Sequence, residues 1–245
     1  MTQKQEGVNL REQLHSYEKK IMSQNGEDGI IEELFSRIGT TNQFFVEFGV
    51  QDGLECNSAY LALFKNWSGL MIEGNLNHYK NLYSNFANRA TVKIVHQFIT
   101  KENIVSIFKR MHVPIEFDLL SIDIDGNDYW VWRALSEYNP RIVVIEYNAS
   151  FPPPQKMVIK YNPNFMWDGT SYYGASLTSL SELGKELGYS LIGTDSRGVN
   201  AFFIRNDLVN ASRFKELTPE QAYHPPAYGP YNGGHPWRDG PYLEI

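Results

Sequence analysis

Phe45-Val46-Glu47-Phe48-Gly49-Val50-Gln51-Asp52-Gly53 is the stretch from which the rest of the chain is read. An apolar strand over 44–48 runs into a turn carrying two glycines and then into a helix over 57–64. The same alternation repeats downstream. Strands are predicted at 69–72, 91–95, 118–122 and 141–145, with helices at 75–86, 102–111 and 127–135. Short, apolar, β-branched strands separated by helices mean a parallel sheet covered on both faces. Leu177, Leu180, Leu183 and Leu187 then define a helix stopped by Gly188. Two further strands, 189–193 and 199–204, are joined by Asp195-Ser196-Arg197-Gly198. A joint that short makes them an antiparallel hairpin.

Upstream, N-terminal helices are predicted over 8–38. Leu10, Leu14, Tyr17 and Ile21 form one stripe over 8–21. After a polar break at 23–26, Ile30, Ile31, Leu34, Phe35 and Ile38 share a face, with acids in the first turn and Gly39 at the end. Two segments fall outside this frame. An insertion over 149–175 carries Phe151, three consecutive prolines, Tyr161, Phe165, Trp167, Tyr172 and Tyr173. A tail over 211–245 becomes rich in Pro, Gly and Tyr from 223, a composition that resists a regular element. The whole, 1–245, reads as one domain.

Composition removes several function classes. The net charge of −6 opposes a sequence-independent grip on nucleic acid or on an anionic membrane, both of which need a basic field. Apolar runs such as Val143–Ile145 are far too short to span a bilayer. The polar N-terminus argues against a signal peptide, so a cytoplasmic location is expected. The single cysteine, Cys56, excludes an internal disulfide framework and a cysteine-based zinc site.

Open parallel sheets bind ligands outside the carboxyl ends of their strands, which makes the strand tips the candidate site. Gly49 and Gly53 would let backbone approach a ligand, and Glu47 and Asp52 suit a cation better than a phosphate. Glu73 ends the second strand, twenty residues after Gly53. An acid there takes both hydroxyls of a ribose, or it caps the next helix.

These residues, with Asn57-Ser58, Trp67-Ser68-Gly69, the lead-in Ser23-Gln24-Asn25-Gly26-Glu27-Asp28 and the run from Asp118 to Gly126, resemble S-adenosylmethionine-dependent methyltransferases of the FkbM type. The resemblance covers residues 23 to about 205. It implies a Rossmann-like seven-stranded sheet, mostly parallel with a terminal antiparallel hairpin. It implies that Glu47, Gly49, Asp52 and Gly53 surround the methionine part and Glu73 the ribose, with Gln24 and Asn57 also near the cofactor. Gln51 stands where such loops usually carry another glycine.

Asp123-Ile124-Asp125-Gly126-Asn127-Asp128 follows the fourth strand, and Glu146 and Asn148 end the fifth. Residues two apart in a strand point the same way, so Asp123 and Asp125 would share a site if the extended backbone continues. These oxygen donors suit Mg²⁺ or Mn²⁺. Catechol- and macrolide-type methyltransferases place metal ligands after these two strands. Asp123 and Glu146 match that placement, with Asn148 replacing the ligand position that Tyr147 occupies. The other reading is metal-free, with Asp123 on the methionine ammonium and the other acids capping the helix at Asn127; Asp123 and Asp125 are the candidate catalytic carboxylates. The aromatic insertion is expected to gate the acceptor and to leave the cofactor alone. His96 ends the third strand near the expected adenine, and His224 or His235 would supply a base if the tail folds over the site.

The expected activity is methyl transfer from S-adenosylmethionine to an oxygen of a sugar or another small polar metabolite. Two alternatives stand beside it. One is a metal-dependent hydrolase using the Asp/Glu cluster. The other is a non-catalytic Rossmann-like nucleoside-binding protein.

Overall fold

A computed structural model describes residues 13–230 and 232–245. In chain order its main elements are α1 (Glu27–Ile38), β1 (Phe44–Phe48), α2 (Ala59–Phe64), β2 (Ser68–Glu73), α3 (Leu76–Phe86), β3 (Val92–His96), α4 (Ile104–Met111), β4 (Glu116–Ile122), α5 (Asp128–Ala134), β5 (Asn139–Glu146), β6 (Met157–Ile159), α6 (Leu177–Glu186), β7 (Tyr189–Thr194), β8 (Asn200–Arg205) and β9 (Tyr242–Glu244). Seven strands form one sheet in the order β3-β2-β1-β4-β5-β8-β7. Strands β1 to β5 pair in parallel, and β8 runs antiparallel between β5 and β7. This is the Rossmann-like, mostly parallel sheet with a terminal hairpin. The chain moves outward through β2 and β3, then returns to β4 on the other side of β1. That reversal opens a crevice beyond the carboxyl ends of β1 and β4.

Alternation along the strands sorts the core and then the site. Val46, Phe48, Ile72, Ile122 and Ile145 pack on one face with Phe108 of α4, Trp132 of α5 and Leu180 of α6. Phe45, Met71, Leu119 and Val144 pack on the other with Leu34 of α1, Ala62 of α2 and Phe86 of α3. Glu47 lies two residues after Phe45, Glu73 two after Met71 and Glu146 two after Val144. Period two therefore carries all three acids to the α1–α3 side of the carboxyl edge.

The ends of the chain differ from expectation. Of the helix predicted at 8–21, residues 8–12 lie outside the described residues. Leu14–Tyr17 is a single 3-10 turn, and no helix follows until α1. The cause is Asp28, whose Oδ2 accepts the amides of Ile21, Met22 and Ser23 at 2.7–2.9 Å. Amides turned toward one carboxylate do not point along a helix axis. The tail does form a regular element: β9 pairs antiparallel with β6 of the insertion, Ile159 opposite Tyr242. A lone strand leaves unpaired backbone groups, and each of these two segments satisfies the other. Among the described residues no helix is long and apolar enough to cross a membrane.

Candidate functional site

A cavity of about 470 Å³ occupies the crevice, with Gly49, Glu73, Phe98, Asp123, Asp125 and Trp167 among its walls. That volume suits a small organic ligand. Glu73, 6% exposed, ends β2 at its rim. Its Oε2 accepts the amide of Gln51 at 2.8 Å and its Oε1 that of Asn75 at 2.6 Å. A carboxylate offers about four acceptor positions, so two remain for a ligand. A second cavity of about 80 Å³ adjoins the first through Gly49, Gln51 and Asp123, and Gln24, Glu27, Glu47, Asn57 and Asn200 help to line it.

The turn after β1 is built for internal contacts more than sequence suggests. Gly49 sits at φ +72°, and a Cβ there would run into the carbonyl of Asp123. Only glycine lets this turn cross the end of β4 so closely. Gly53, at φ +79°, is pressed against Leu82 and Phe86 of α3. Its lack of a side chain serves helix packing, and it lines neither cavity. Asp52 is also absent from both walls, because its Oδ1 accepts the amide of Leu54 and closes the local turn. Glu47 is buried, and donors saturate it: Asn57 N and Ser121 Oγ on Oε1, Ser58 N and Ser58 Oγ on Oε2. Asn57 is occupied as well, its Nδ2 donating to Ser121 Oγ at 3.1 Å.

Asp123, Asp125 and Glu146 bring one carboxylate oxygen each to within 4.8 Å of one another. The convergence does not come from continued strand. Strand β4 ends at Ile122, and Asp125 turns back with φ +53°. Asp128 holds that turn by accepting the amides of Ile124 and Gly126 at 2.9 and 2.8 Å. Burial pushes the Asp128 carboxyl up to about 6 against those bonds. Burial and then Asp125 raise Asp123, while burial and then Asp123 raise Glu146. Loss of solvent and then Glu73 raise Asp125. Oε2 of Glu146 is buried without a hydrogen-bond partner.

Asn148 does not belong to this cluster. Its Nδ2 donates to the carbonyls of Ser171 and Tyr173 at 2.8 and 2.9 Å, and its Oδ1 accepts Ser150 N at 3.0 Å. It pins the insertion to β5. Tyr147 packs in the core of the opposite face, its hydroxyl donating to the carbonyl of His224. Asp123, Asp125 and Glu146 still make an all-oxygen donor set, and the orphaned Glu146 oxygen fits a hard divalent cation.

The insertion contributes to the wall of the larger cavity. Phe165, Met166 and Trp167 share its wall with Glu73, Gln97 and Phe98. The reason is docking onto the β4 turn: Asn127 Nδ2 donates to the carbonyl of Asn162, and Gly174 N to that of Gly126. Tyr173 is buried behind Trp167, its hydroxyl 2.6 Å from that of Tyr228. His96 stacks on Tyr79, outside the cavity wall. His224 bonds Thr194, whereas His235 packs edge-on against Trp167 at 4.6 Å between ring centroids.

Asn200 is a wall residue that the sequence reading passed over, whereas Glu27 and Asn127 stood in quoted motifs without a role of their own. The available signal was polarity inside otherwise apolar elements, notably Asn200 before Ala201-Phe202-Phe203-Ile204.

No family model matches this chain, and no curated protein matches it. Solved structures resemble it only distantly. The N-terminal domain of EvdMO1 with SAH bound has a TM-score of 0.47 and 10% identity, over 74% of this chain and 80% of that one. The citrinin polyketide synthase CMeT domain has a TM-score of 0.48 and 10% identity, over 73% and 51%. A S-adenosylmethionine-dependent methyltransferase from Clostridium acetobutylicum has a TM-score of 0.45 and 10% identity, over 73% and 89%. Likenesses this distant assign neither an activity nor a residue to this chain.

Proposed function

We propose that this chain is a cytoplasmic S-adenosylmethionine-dependent methyltransferase acting on a hydroxyl of a sugar or another small polar acceptor. One observation carries the reading: a ligand-sized cavity with Glu73 at its rim meets a small acid-lined cavity at Asp123. The larger space suits a nucleoside, and the smaller suits a compact cationic group. A hydrolase using only Asp123, Asp125 and Glu146 leaves both the free acceptor positions of Glu73 and the second cavity without a use. A nucleoside-binding protein without chemistry leaves the three converging carboxylates without one.

When bound, S-adenosylmethionine supplies an electrophilic methyl group. The protein's part is to hold, orient and desolvate. The spare positions of Glu73 would accept the ribose hydroxyls. Phe98 and Trp167 would flank the nucleoside and exclude water. Asp125, exposed at the cavity and with its carboxyl raised by loss of solvent and then by Glu73, would take the acceptor's proton. Mg²⁺ or Mn²⁺, where present, would sit on Asp123, Asp125 and Glu146 and acidify the hydroxyl.

Calorimetry with S-adenosylhomocysteine tests the reading. Glu73→Ala is expected to weaken binding by about 1.5–3 kcal/mol, because charge-assisted bonds to two hydroxyls are lost. Glu73→Gln keeps one accepting oxygen and should lose less. Unchanged affinity in a folded Glu73→Ala protein would remove the ribose assignment, and no binding by the wild type would remove the methyltransferase.

Trp167→Ala is expected to weaken S-adenosylhomocysteine as well, by about 1 kcal/mol or roughly fivefold, since an aromatic wall of the same cavity is lost. A change confined to the acceptor's KM would return the insertion to a purely acceptor-side role.

A further inference from the structure

Strand β8 runs against its neighbours, so its first residue, not its last, reaches the carboxyl edge of the sheet. That residue is Asn200, paired in register with Glu146. It is 3% exposed and lines the small cavity that also holds Asp123 and Glu27. Its Nδ2 donates to Glu27 Oε1 at 2.9 Å, and its Oδ1 is buried with no hydrogen-bond partner. The orientation of this amide is chemically forced. A carboxylate can only accept, so the NH₂ end must face Glu27 and the carbonyl oxygen must face away from it. Glu27 is itself held by Asn25, whose backbone and side-chain nitrogens donate to it at 2.8 and 3.2 Å.

The chemistry of the surrounding wall selects what this oxygen awaits. Among the described residues that line the cavity there is no lysine or arginine, whereas Glu27, Glu47, Glu55 and Asp123 all contribute carboxylates. Glu47 is saturated by its own four donors and has nothing left to offer. Of the other groups in this wall, Asn200 Oδ1 is the oxygen buried without a partner, and the Asp123 carboxylate stands where the two cavities meet. Both are acceptors, so a carboxylate or phosphate group would leave Asn200 unsatisfied and face Asp123 as a like charge. A primary ammonium has three donors, a positive charge and a small volume. A buried acceptor left without a donor is costly, so the ligand's gain from supplying one is large.

We propose that Asn200 is the residue that reads the ammonium group of an amino-acid-bearing nucleoside, with Glu27 fixing its orientation and Asp123 supplying the opposing charge. The inference rests on the S-adenosylmethionine reading and adds a specificity-determining residue to it. It distinguishes a nucleoside that carries an α-amino acid from one that does not.

The test compares S-adenosylhomocysteine with 5′-methylthioadenosine, which keeps the thioadenosine half and lacks the amino-acid end. The wild type should bind S-adenosylhomocysteine more tightly than 5′-methylthioadenosine. Asn200→Ala should lower affinity for S-adenosylhomocysteine at least tenfold while leaving that for 5′-methylthioadenosine within twofold. Glu27→Gln, which lets the Asn200 amide turn round, should give a smaller loss with the same selectivity. Equal affinity of the wild type for the two ligands would overturn the inference without any variant, so a failure of Asn200→Ala to fold does not shield it. Equal losses for both ligands in Asn200→Ala would make the residue structural and overturn it too. Binding of neither ligand by the wild type would overturn the methyltransferase reading itself. Binding of both with an unaffected variant would overturn only the role of Asn200.

Discussion

Glu47→Ala is expected to lower the free energy of unfolding by about 3–5 kcal/mol, with a fall in Tm of roughly 6–20 °C. The carboxylate is buried beneath the turn that follows β1 and gathers donors from two neighbouring segments. Asn57 N and Ser58 N lie 2.9 and 2.7 Å from it at the entry to α2, and Ser121 Oγ lies 2.9 Å away on β4. Alanine would leave those groups buried without an acceptor, a larger loss than that of one ordinary hydrogen bond. Glu47→Gln should recover only part of the loss, because its NH₂ would face a donor on one side. Burial raises the Glu47 carboxyl, and the bonds from Ser58 and Asn57 oppose that. Thermal and chemical unfolding of the two variants measure the effect. A loss below about 1 kcal/mol, accompanied by weakened ligand binding, would make Glu47 a direct ligand contact instead.

That result bears on how far sequence alone carries. The sheet was legible because its signal is periodic. Apolar strands alternating with amphipathic helices can be packed in few ways, and the Asp195–Gly198 joint left the last pair only one mode. The tips of the strands were legible as places, since each acid's face follows from counting in twos. What each acid does was not, because that depends on donors distant in sequence. Nothing local to Glu47 shows that Ser121 will reach it, and nothing local to Asn148 shows that its amide will hold Ser171 and Tyr173. Asp52 and Gly53 show the same limit, since the structure engages one in a local turn and packs the other on α3. Acids and glycines after a strand satisfy turns and helix packing as readily as they approach ligands. Asn200 was missed because its importance depends on strand direction, which inverts which end of β8 meets the site. Over residues 13–21, the described part of the helix predicted at 8–21, only the single turn Leu14–Tyr17 forms, and at its far end Asp28 gathers the amides of residues 21–23.

Excess EDTA is expected to lower methyl transfer at least about a hundredfold, with Mg²⁺ or Mn²⁺ restoring it, if the ion supplies the several kcal/mol typical of a metal that activates a hydroxyl. S-adenosylhomocysteine binding should be spared, because Glu73, Phe98 and Trp167, the groups assigned to the nucleoside, contribute no ligand to the cluster. The basis is the donor set and one unsatisfied atom. Asp123, Asp125 and Glu146 present only oxygen, within 4.8 Å of one another, and Glu146 Oε2 is buried with nothing to bond. Three carboxylates this close repel one another, and a divalent cation removes that repulsion as it binds. Glu146→Ala should therefore mimic chelation, lowering turnover without moving S-adenosylhomocysteine affinity by more than about twofold, roughly 0.4 kcal/mol. Asp125→Asn should lower turnover as well, whether the residue acts as ligand or as base, so it does not separate the two mechanisms. Chelation does. Full turnover in excess EDTA, with no metal found by elemental analysis, would leave Asp125 to take the proton unaided and Asp123 to face the bound cation alone. Asn148→Ala adds a control from the opposite direction. Its amide holds the insertion and not an ion, so its loss should loosen the Trp167 wall and weaken S-adenosylhomocysteine, an effect that added Mg²⁺ leaves unchanged.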